Sequence, residues 1–147
     1  ENMLVNIKKL NEKAKLPTYG TAYSAGCDLY ACMDEDISIN PGETKLIKTG
    51  LSMEIPENYA GLIYARSGLA TKKGLAPANK VGVIDSDYRG EIMVALHNHS
   101  NEVQTIDKNE RIAQLVVTPF LKVEFNEVED LNDTVRGAGG FGSTGAK

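Results

Sequence analysis

Short runs of β-branched and other apolar residues, most of them ended by glycine or proline, recur along most of this chain. Apolar residues at helical spacing are nearly absent. A chain with this pattern folds as strands joined by turns, so the spacing predicts an all-β sandwich or barrel. The predicted strands cover residues 4–7, 37–39, 44–49, 51–55, 61–65, 92–96, 112–118 and 123–125.

One helix and one loose segment interrupt this pattern. Ser67 is a suitable N-cap and Gly74 a suitable left-handed stop, which predicts a helix of about two turns over 67–73. Towards the C-terminus, five of the ten residues 136–145 are glycine, and such a segment cannot form a stable element by itself. We therefore predict one domain over residues 1–130 and a flexible arm over 131–147.

Composition narrows the function classes. The net charge of −4 argues against a general nucleic-acid-binding surface, which would be basic. No apolar run approaches the ~20 residues that cross a bilayer, and no signal peptide is evident. We expect a cytoplasmic protein with no nucleic-acid or membrane partner. Cys27 and Cys32 fit neither a disulfide framework nor a metal pair, so we expect reduced thiols and no zinc site.

The most informative segment joins a strand to a turn at Asp85. Val83 and Ile84 form a β-branched run that ends at this carboxylate, and residues 91–96 resume as a strand. The segment 81–96 is therefore predicted to be a β-hairpin. A carboxylate held at a strand end can act as a general base on a water within hydrogen-bond distance. The alternative is a hairpin whose aspartates only cap its turn.

Two further segments combine glycine with charged groups. Gly26 allows close approach of the backbone, and Asp28 offers a hard oxygen ligand; the alternative is a β-bulge with a solvated aspartate. The strand that ends at Arg66 runs into Ser67 and Gly68 at a helix start. A guanidinium, a hydroxyl and backbone N–H groups then converge on one anion site. Alternatively, Ser67 is a plain N-cap and Arg66 lies in solvent.

Two side-chain amides are also candidates for ligand binding. Asn79 lies just before the segment around Asp85, and its amide presents both a donor and an acceptor, the pairing that a base edge such as that of uracil needs. A role as a turn residue is the alternative. Gln114 lies on a largely apolar strand, so it requires a hydrogen-bond partner either in the protein or on a ligand.

The glycine-rich arm has part of the composition of a phosphate-binding loop. The Walker A lysine and the strand-to-helix context are both missing, so we reject a P-loop assignment. Arg136, Ser143, Thr144 and the glycine N–H groups can still wrap a polyphosphate. Phe141 has no core to enter, and a flat ligand surface would bury it. The alternative is a disordered linker.

Five segments, in order and at matching spacing, resemble the five motifs of the trimeric deoxyuridine triphosphatase (dUTPase) family. The resemblance runs from about residue 4 to the C-terminus, and the third and fifth motifs are its most specific parts. Asn109 departs from the family pattern, which usually has glycine there. The five segments are residues 25–29, 66–68, 79–90, 110–114 and 136–145.

The resemblance implies a distorted jelly-roll or β-barrel and an enzyme that hydrolyses dUTP to dUMP and pyrophosphate. That reaction limits uracil incorporation into DNA and supplies dUMP for thymidylate synthesis. Asp85 would activate the water that attacks the α-phosphorus, and Tyr88 would pack under the deoxyribose. Mg²⁺ would be held mainly by the substrate phosphates, with Asp28 reaching it through water. A homotrimer would share its active sites, each arm closing over the site of a neighbouring subunit.

The remaining roles are implied by the same resemblance. The implied uracil-binding residues are Asn79, Val83, Ile84 and Met93. The implied α- and β-phosphate ligands are Arg66, Ser67, Gly68 and Gln114. In the arm, the resemblance places Arg136, Gly142, Ser143 and Thr144 around the γ-phosphate and stacks Phe141 on the base.

Two other functions remain open at this stage. One is a dCTP deaminase of the same superfamily, some members of which also hydrolyse dUTP. The other is a regulatory protein that keeps the fold and senses nucleotide without catalysis. The complete arm and the Asp85 turn favour the triphosphatase over both.

Overall fold

The computed structural model describes residues 2–142, and nearly all the regular structure of these residues is β. They form twelve strands and one helical turn. The strands are β1 (Asn6–Lys9), β2 (Thr18–Tyr19), β3 (Cys27–Tyr30), β4 (Ile37–Ile39), β5 (Thr44–Lys48), β6 (Leu51–Glu54), β7 (Tyr59–Tyr64), β8 (Leu75–Pro77), β9 (Gly82–Ile84), β10 (Met93–Asn98), β11 (Gln104–Ile106) and β12 (Arg111–Pro119).

The strands are arranged in four sheets. The largest has the order β2–β3–β12–β7–β9, and a second has the order β5–β10–β8. Two ribbons, β1–β6 and β11–β4, complete the set, and every pairing is antiparallel. The long strand β12 pairs with β3 on one side and β7 on the other, so it occupies the centre of the largest sheet.

The core follows from the alternation of side chains along the strands. Every second residue of β10 is buried, and β3 alternates in the same way. Successive side chains of a strand point to opposite faces, so each sheet gains one apolar face for packing. The all-β prediction is confirmed. The largest fully buried apolar side chains are Leu29, Ile39, Ile47, Leu51, Leu75, Leu96, Ile106 and Ile112.

Residues 67–73 are helical, as predicted. Leu69–Lys73 form a π-helical turn, and Gly74 ends it with a φ of 66°, as expected. The prediction that Ser67 is the N-cap is wrong, because Gly68 occupies that position and no side chain caps the turn. The carbonyl of Ser67 accepts a 2.7 Å bond from the Thr71 hydroxyl, which ties the first turn together from within.

The predicted hairpin around Asp85 is also wrong. β9 pairs with β7, whereas β10 pairs with β5 and β8. The two strands that flank Asp85 therefore belong to different sheets. Ile92 bonds Leu51 and Thr49 through its backbone, so the chain crosses between sheets over residues 85–92 instead of folding back on β9. We call residues 85–92 the crossover loop.

The predicted strand at 123–125 is absent, and four strands were not predicted, namely β2, β3, β8 and β11. Residues 121–135 have no strand pairing within the described chain, and their side chains are exposed. A strand needs a neighbour for its backbone hydrogen bonds, and the folded chain offers none at this place. β2, β8 and β11 have only two or three residues each, too few to produce a periodic signal.

Two expectations from composition can be compared with the described residues. Cys27 and Cys32 are free thiols, as predicted. Burial raises the pKa of both thiols, which keeps them protonated and unreactive near neutral pH. In the part of the chain that the structure describes, no helix has the length and apolar character needed to span a bilayer.

Candidate functional site

A cleft of about 260 Å³ lies between β9, the crossover loop and the start of β10. Its size suits a nucleobase and sugar better than a whole nucleotide. Six residues singled out in the sequence line it together, although they are spread over fifteen positions from 79 to 93. These are Asn79, Val83, Ile84, Asp85, Tyr88 and Met93.

The crossover loop begins with a tight turn. The Tyr88 N–H donates to the Asp85 carbonyl at 3.1 Å, and the Tyr88 hydroxyl donates to the Glu91 carbonyl at 2.7 Å. These two bonds fix the ring of Tyr88 over the loop. The Asp85 side chain is exposed at the cleft and makes no hydrogen bond or ion pair within residues 2–142. Its carboxylate is therefore open to water and ligand.

Gly90 is needed for the position of the tyrosine ring. A Cβ at this position would lie 2.4 Å from the Tyr88 hydroxyl oxygen and 2.6 Å from Cζ. Both separations are far inside van der Waals contact, so any larger residue would displace the ring. The glycine of the predicted turn thus acts by allowing close approach of a side chain.

Asn79 is held at the other end of the cleft by the turn between β8 and β9. The Lys80 N–H donates to the Pro77 carbonyl at 3.0 Å, and Lys80 takes a left-handed φ of 67°. The turn brings the Asn79 amide nitrogen to 3.4 Å from the position of a Gly82 Cβ. Asn79 has no side-chain bond to the described protein, so its amide donor and acceptor are both available in the cleft.

The predicted anion site contains a carboxylate between two guanidinium groups. Arg66 Nε donates to Asp28 Oδ1 at 3.0 Å, and Arg111 Nη1 donates to Asp28 Oδ2 at 3.4 Å. Arg66 Nη1 also reaches the Arg111 carbonyl at 3.4 Å. The side chain of Asp28 is only 16% exposed. One carboxylate thus holds two arginines side by side, which leaves a net positive cluster for an anionic ligand.

Gln114 lies beside this cluster because of strand register. It is opposite Asp28 on β3 and opposite Tyr64 on β7. Its Nε2 donates to the Ala65 carbonyl at 2.8 Å, and its Oε1 points at Gly26, where a Cβ would come within 2.4 Å. Gly26 is therefore required for the close approach of this glutamine, whose side-chain amide has a hydrogen-bond partner within the protein.

Within one chain, the cleft and the arginine cluster lie apart. Ile84 pairs with Gly61 and Gly82 pairs with Ile63, so Asp85 and Arg66 project from opposite ends of the β7–β9 pair. At about 3.3 Å per residue, their backbones are roughly 15 Å or more apart. The structure brings together the predicted base-binding residues and, separately, the predicted phosphate-binding residues. It does not unite the two groups in a single subunit.

The remaining predicted ligands are exposed in the described chain. Ser67 and Gly68 lie at the start of the helical turn, in solvent. Arg136 bonds only its own arm, donating to the Gly139 carbonyl at 2.6 Å. Phe141 has a left-handed φ of 51° and a fully exposed ring. Gly142 is also exposed, and Ser143 and Thr144 lie outside the described residues.

The donor set fits a cation only in part. Among residues 2–142, no group of three or more histidine, cysteine, aspartate or glutamate side chains is placed to hold a metal ion. Asp28 is the carboxylate of the arginine cluster, and each of its oxygens accepts one bond, which leaves a further lone pair on each for a water. The chain thus fits a Mg²⁺ that takes most of its ligands from a polyphosphate and water.

Several residues at the site carried no signal in the sequence. Arg111 lies in a predicted motif, but its place beside Arg66 follows from a register shift between Arg111 and Ala113. Other residues line the cleft because strands distant in sequence meet there. These are Leu46 and Ile63; Gly82, Glu91 and Ile92 also line the cleft, but they belong to the segment 81–96 around Asp85 that the sequence already indicates.

Comparison with known proteins identifies a family. A family model described as dUTPase matches residues 12–145. The chain is 57% identical over 143 residues to the deoxyuridine 5'-triphosphate nucleotidohydrolase of Nautilia profundicola, covering 97% of this chain and 99% of that protein. It is 50% identical over 138 residues to the enzyme of the same name from Acinetobacter baumannii, covering 93% and 92%.

Solved structures with the same fold are also dUTPases. A variant dUTPase of Staphylococcus bacteriophage 80alpha, with dUpNHpp, superimposes with a TM-score of 0.87 at 29% identity and covers 99% of this chain and all of its own. A variant dUTPase from phage phi11 of S. aureus, described as coordinating a structural Mg(II) ion, has a TM-score of 0.77 at 26% identity. It covers 87% of this chain and 98% of its own.

Proposed function

This chain belongs to the dUTPase family and hydrolyses dUTP, and we propose that Asp85 is the general base of that reaction. Asp85 takes a proton from a water, which attacks the α-phosphorus in line with the bridging oxygen to the β-phosphate. That P–O bond breaks, giving dUMP and pyrophosphate. An exposed carboxylate beside the cleft, with no protein partner among the described residues, is suited to accept a hydrogen bond from this water.

Uracil enters the cleft between Asn79 and the backbones of β9 and β10. β9 is the edge strand of its sheet, so its outer N–H and C=O groups are free to pair with a base edge. Val83, Ile84 and Met93 supply the apolar walls. Polar groups matched to uracil would stay unpaired against cytosine, and walls close to C5 would exclude the thymine methyl.

Tyr88 selects deoxyribose. The hydroxyl bond to the Glu91 carbonyl holds its ring in place, and the ring lies close against Gly90, where a side chain would displace it. A ring held in this way leaves no room for a 2′-hydroxyl. The sugar packs on this ring while Asp85 faces the α-phosphate. A rigid ring discriminates better than a mobile one, because its displacement would break a hydrogen bond.

The triphosphate binds the arginine cluster of a neighbouring subunit. Arg66, with Ser67, Gly68 and Gln114 around it, contacts the α- and β-phosphates, and Asp28 keeps Arg66 oriented. Asp28 would also hold Mg²⁺ through water, and this ion would neutralise phosphate charge as it develops on the leaving pyrophosphate. The separation of Asp85 from Arg66 within one chain supports a homotrimer with shared sites.

The arm, residues 131–147, closes over the γ-phosphate of a neighbouring site. Arg136, Gly142, Ser143 and Thr144 bind the phosphate, and Phe141 stacks on the base. The exposed ring of Phe141 and the bond of Arg136 within the arm support this, because neither group has a partner among the described residues of the domain. The enzyme works in the cytoplasm, where it limits uracil in DNA and supplies dUMP.

The observation that carries this proposal is the common cleft of Asn79, Asp85 and Tyr88. Pyrophosphate release should be fast with dUTP and Mg²⁺ and slow with dCTP, dTTP and UTP. Asp85→Asn should bind dUpNHpp normally and lose nearly all hydrolysis. Normal turnover by Asp85→Asn would remove Asp85 from its assigned role, and ammonia release from dCTP would indicate a deaminase.

A further inference from the structure

The corner between β5 and β6, together with Ser52 on β6, holds the crossover loop at three of its residues. Thr49 donates through its hydroxyl to the Ile92 carbonyl at 2.6 Å. The Gly50 N–H donates to the Glu91 carboxylate at 2.9 Å. Ser52 donates to the Arg89 carbonyl at 2.6 Å. All three contacts use a side chain: the hydroxyl groups of Thr49 and Ser52 and the carboxylate of Glu91.

Ser52 has no evident packing reason to be serine. The residue is 8% exposed. Because side chains alternate along a strand, the Ser52 side chain lies on the face opposite Leu51 and Met53, where it lines a pocket with Lys8, Glu54 and Arg89. Alanine would fill such a position without a polar group to satisfy, since a buried hydroxyl is unfavourable unless it is hydrogen-bonded. The 2.6 Å bond to Arg89 is the one bond that the Ser52 hydroxyl makes within residues 2–142.

Arg89 links Ser52 to the turn that carries Asp85 through the hydrogen bonds of its guanidinium. Its Nη1 donates to the Ser86 carbonyl at 2.7 Å and to the Tyr88 carbonyl at 3.2 Å. Its Nε lies 4.0 Å from Glu54 on β6. Ser52 thus fixes the main chain of Arg89, and the Arg89 guanidinium bonds two carbonyl groups of the turn. The direction of the Asp85 carboxylate depends on this turn, because no side-chain bond within the described chain orients it.

We propose that Ser52 and Arg89 are positioning residues for hydrolysis: Ser52 fixes Arg89, and Arg89 fixes the turn that directs Asp85 at the attacking water. This rests on the proposed role of Asp85. A base displaced by a fraction of an ångström still allows substrate to bind, because uracil and the phosphates contact groups outside this turn and the Tyr88 ring keeps its own bond to Glu91. In-line attack, however, depends steeply on position.

Three variants test this. Ser52→Ala and Arg89→Met should each lower kcat about ten- to a hundredfold, while KM for dUTP and Kd for dUpNHpp stay within about twofold. The double variant should fall little further than Arg89→Met alone, since both changes release the same turn. The Arg89 side chain is 54% exposed, so Arg89→Met folds even if Ser52→Ala does not. Ser38→Ala, an exposed serine bonded to Thr105, is the matched control.

The outcomes separate this inference from the proposed function. Wild-type kcat in Ser52→Ala and Arg89→Met, with Asp85→Asn inactive, overturns the positioning role and leaves Asp85 as the base. Equal loss in kcat/KM and in dUpNHpp binding, together with a lower Tm, would show a merely structural role and also overturns it. An active Asp85→Asn variant would instead overturn the proposed base.

Discussion

At the scale of single residues, Gly90 shows how an absent side chain sets specificity. A Cβ there would overlap the Tyr88 ring, and the backbone is not in the left-handed region, so alanine acts only through that ring. We expect Gly90→Ala to lower kcat/KM for dUTP about tenfold or more and to raise the UTP to dUTP activity ratio. Steady-state kinetics with both nucleotides measures this.

Gly20→Ala is the control for that experiment. A Cβ at Gly20 meets only the Ser24 hydroxyl, at 3.7 Å, which is ordinary contact. If Gly90→Ala keeps the selectivity of the wild type, the tyrosine is not held by this close approach.

Asn98 is a second residue whose role the sequence does not reveal. Its side chain is fully buried, its amide donates to the Ile39 and Glu102 carbonyls, both at 2.8 Å, and its Oδ1 accepts from Ser100. Asn98→Ala leaves these partners unsatisfied, which should cost about 3 kcal/mol or more of stability. We expect a Tm several degrees lower by calorimetry, whereas the exposed Asn6→Ala should leave Tm unchanged.

At the scale of elements, the sequence predicts strands well where alternation is strong. The strand predicted at 37–39 is β4 itself, and β5 and β6 agree with the prediction to one residue. The hairpin at Asp85 failed for a physical reason. Local patterning identifies two strands and a turn but not which sheet each strand joins, and that is decided by contacts such as Ile92 with Leu51.

The candidate site, like the strands, could be predicted from the sequence only where its residues belong to one local segment. Asn79, Asp85 and Tyr88 are close in sequence, so their shared cleft follows from local structure. The pairing of Asp28 with Arg66 and Arg111 depends on the register of three strands. Leu46 and Ile63 were missed because nothing in their own segments indicates a ligand, and only the folded chain brings them to the cleft.

The arm is an element whose structure is expected to depend on ligand. Ordering about ten residues costs on the order of 10 kcal/mol, which a few charge-assisted phosphate bonds and one stacked ring roughly offset. We predict that truncation before Arg136 leaves the domain folded and lowers kcat by about a hundredfold or more. Circular dichroism and turnover of dUTP measure the two effects.

Phe141→Ala provides the graded control for the truncation. It removes the ring and keeps every backbone N–H of the arm, so it should lose less activity than the truncated chain. A truncated enzyme with full activity would refute closure by the arm and the proposed boundary at residue 130.

At the scale of the whole molecule, the exposed apolar side chains after β12 require a partner surface. Leu121, Phe125 and Leu131 are each at least 86% exposed, more than an isolated folded domain usually leaves to water in one segment. The predicted strand at 123–125 lies in this segment. A neighbouring subunit would cover it, so the proposed trimer accounts for both the exposure and the missing strand.

Sharing of sites between subunits can be tested by complementation. Asp85→Asn and Arg66→Ala should each be inactive alone, because one lacks the base and the other lacks a phosphate ligand. After the two chains are mixed, unfolded and refolded together, some sites combine an intact Asp85 from one subunit with an intact Arg66 from another. Random assembly restores about a quarter of the sites, so we expect about a quarter of wild-type activity in a pyrophosphate-release assay.

The same mixture distinguishes the alternative arrangement. If each chain supplied both groups to its own site, no mixed assembly would contain an intact site, and activity would stay at the level of the separate variants. The roughly 15 Å or more between the backbones of Asp85 and Arg66, set by the β7–β9 register, is too great for both groups to act on adjacent phosphates of one substrate. Recovery of activity therefore depends on that register. If activity does not recover, the two ends of β7 bind different ligands.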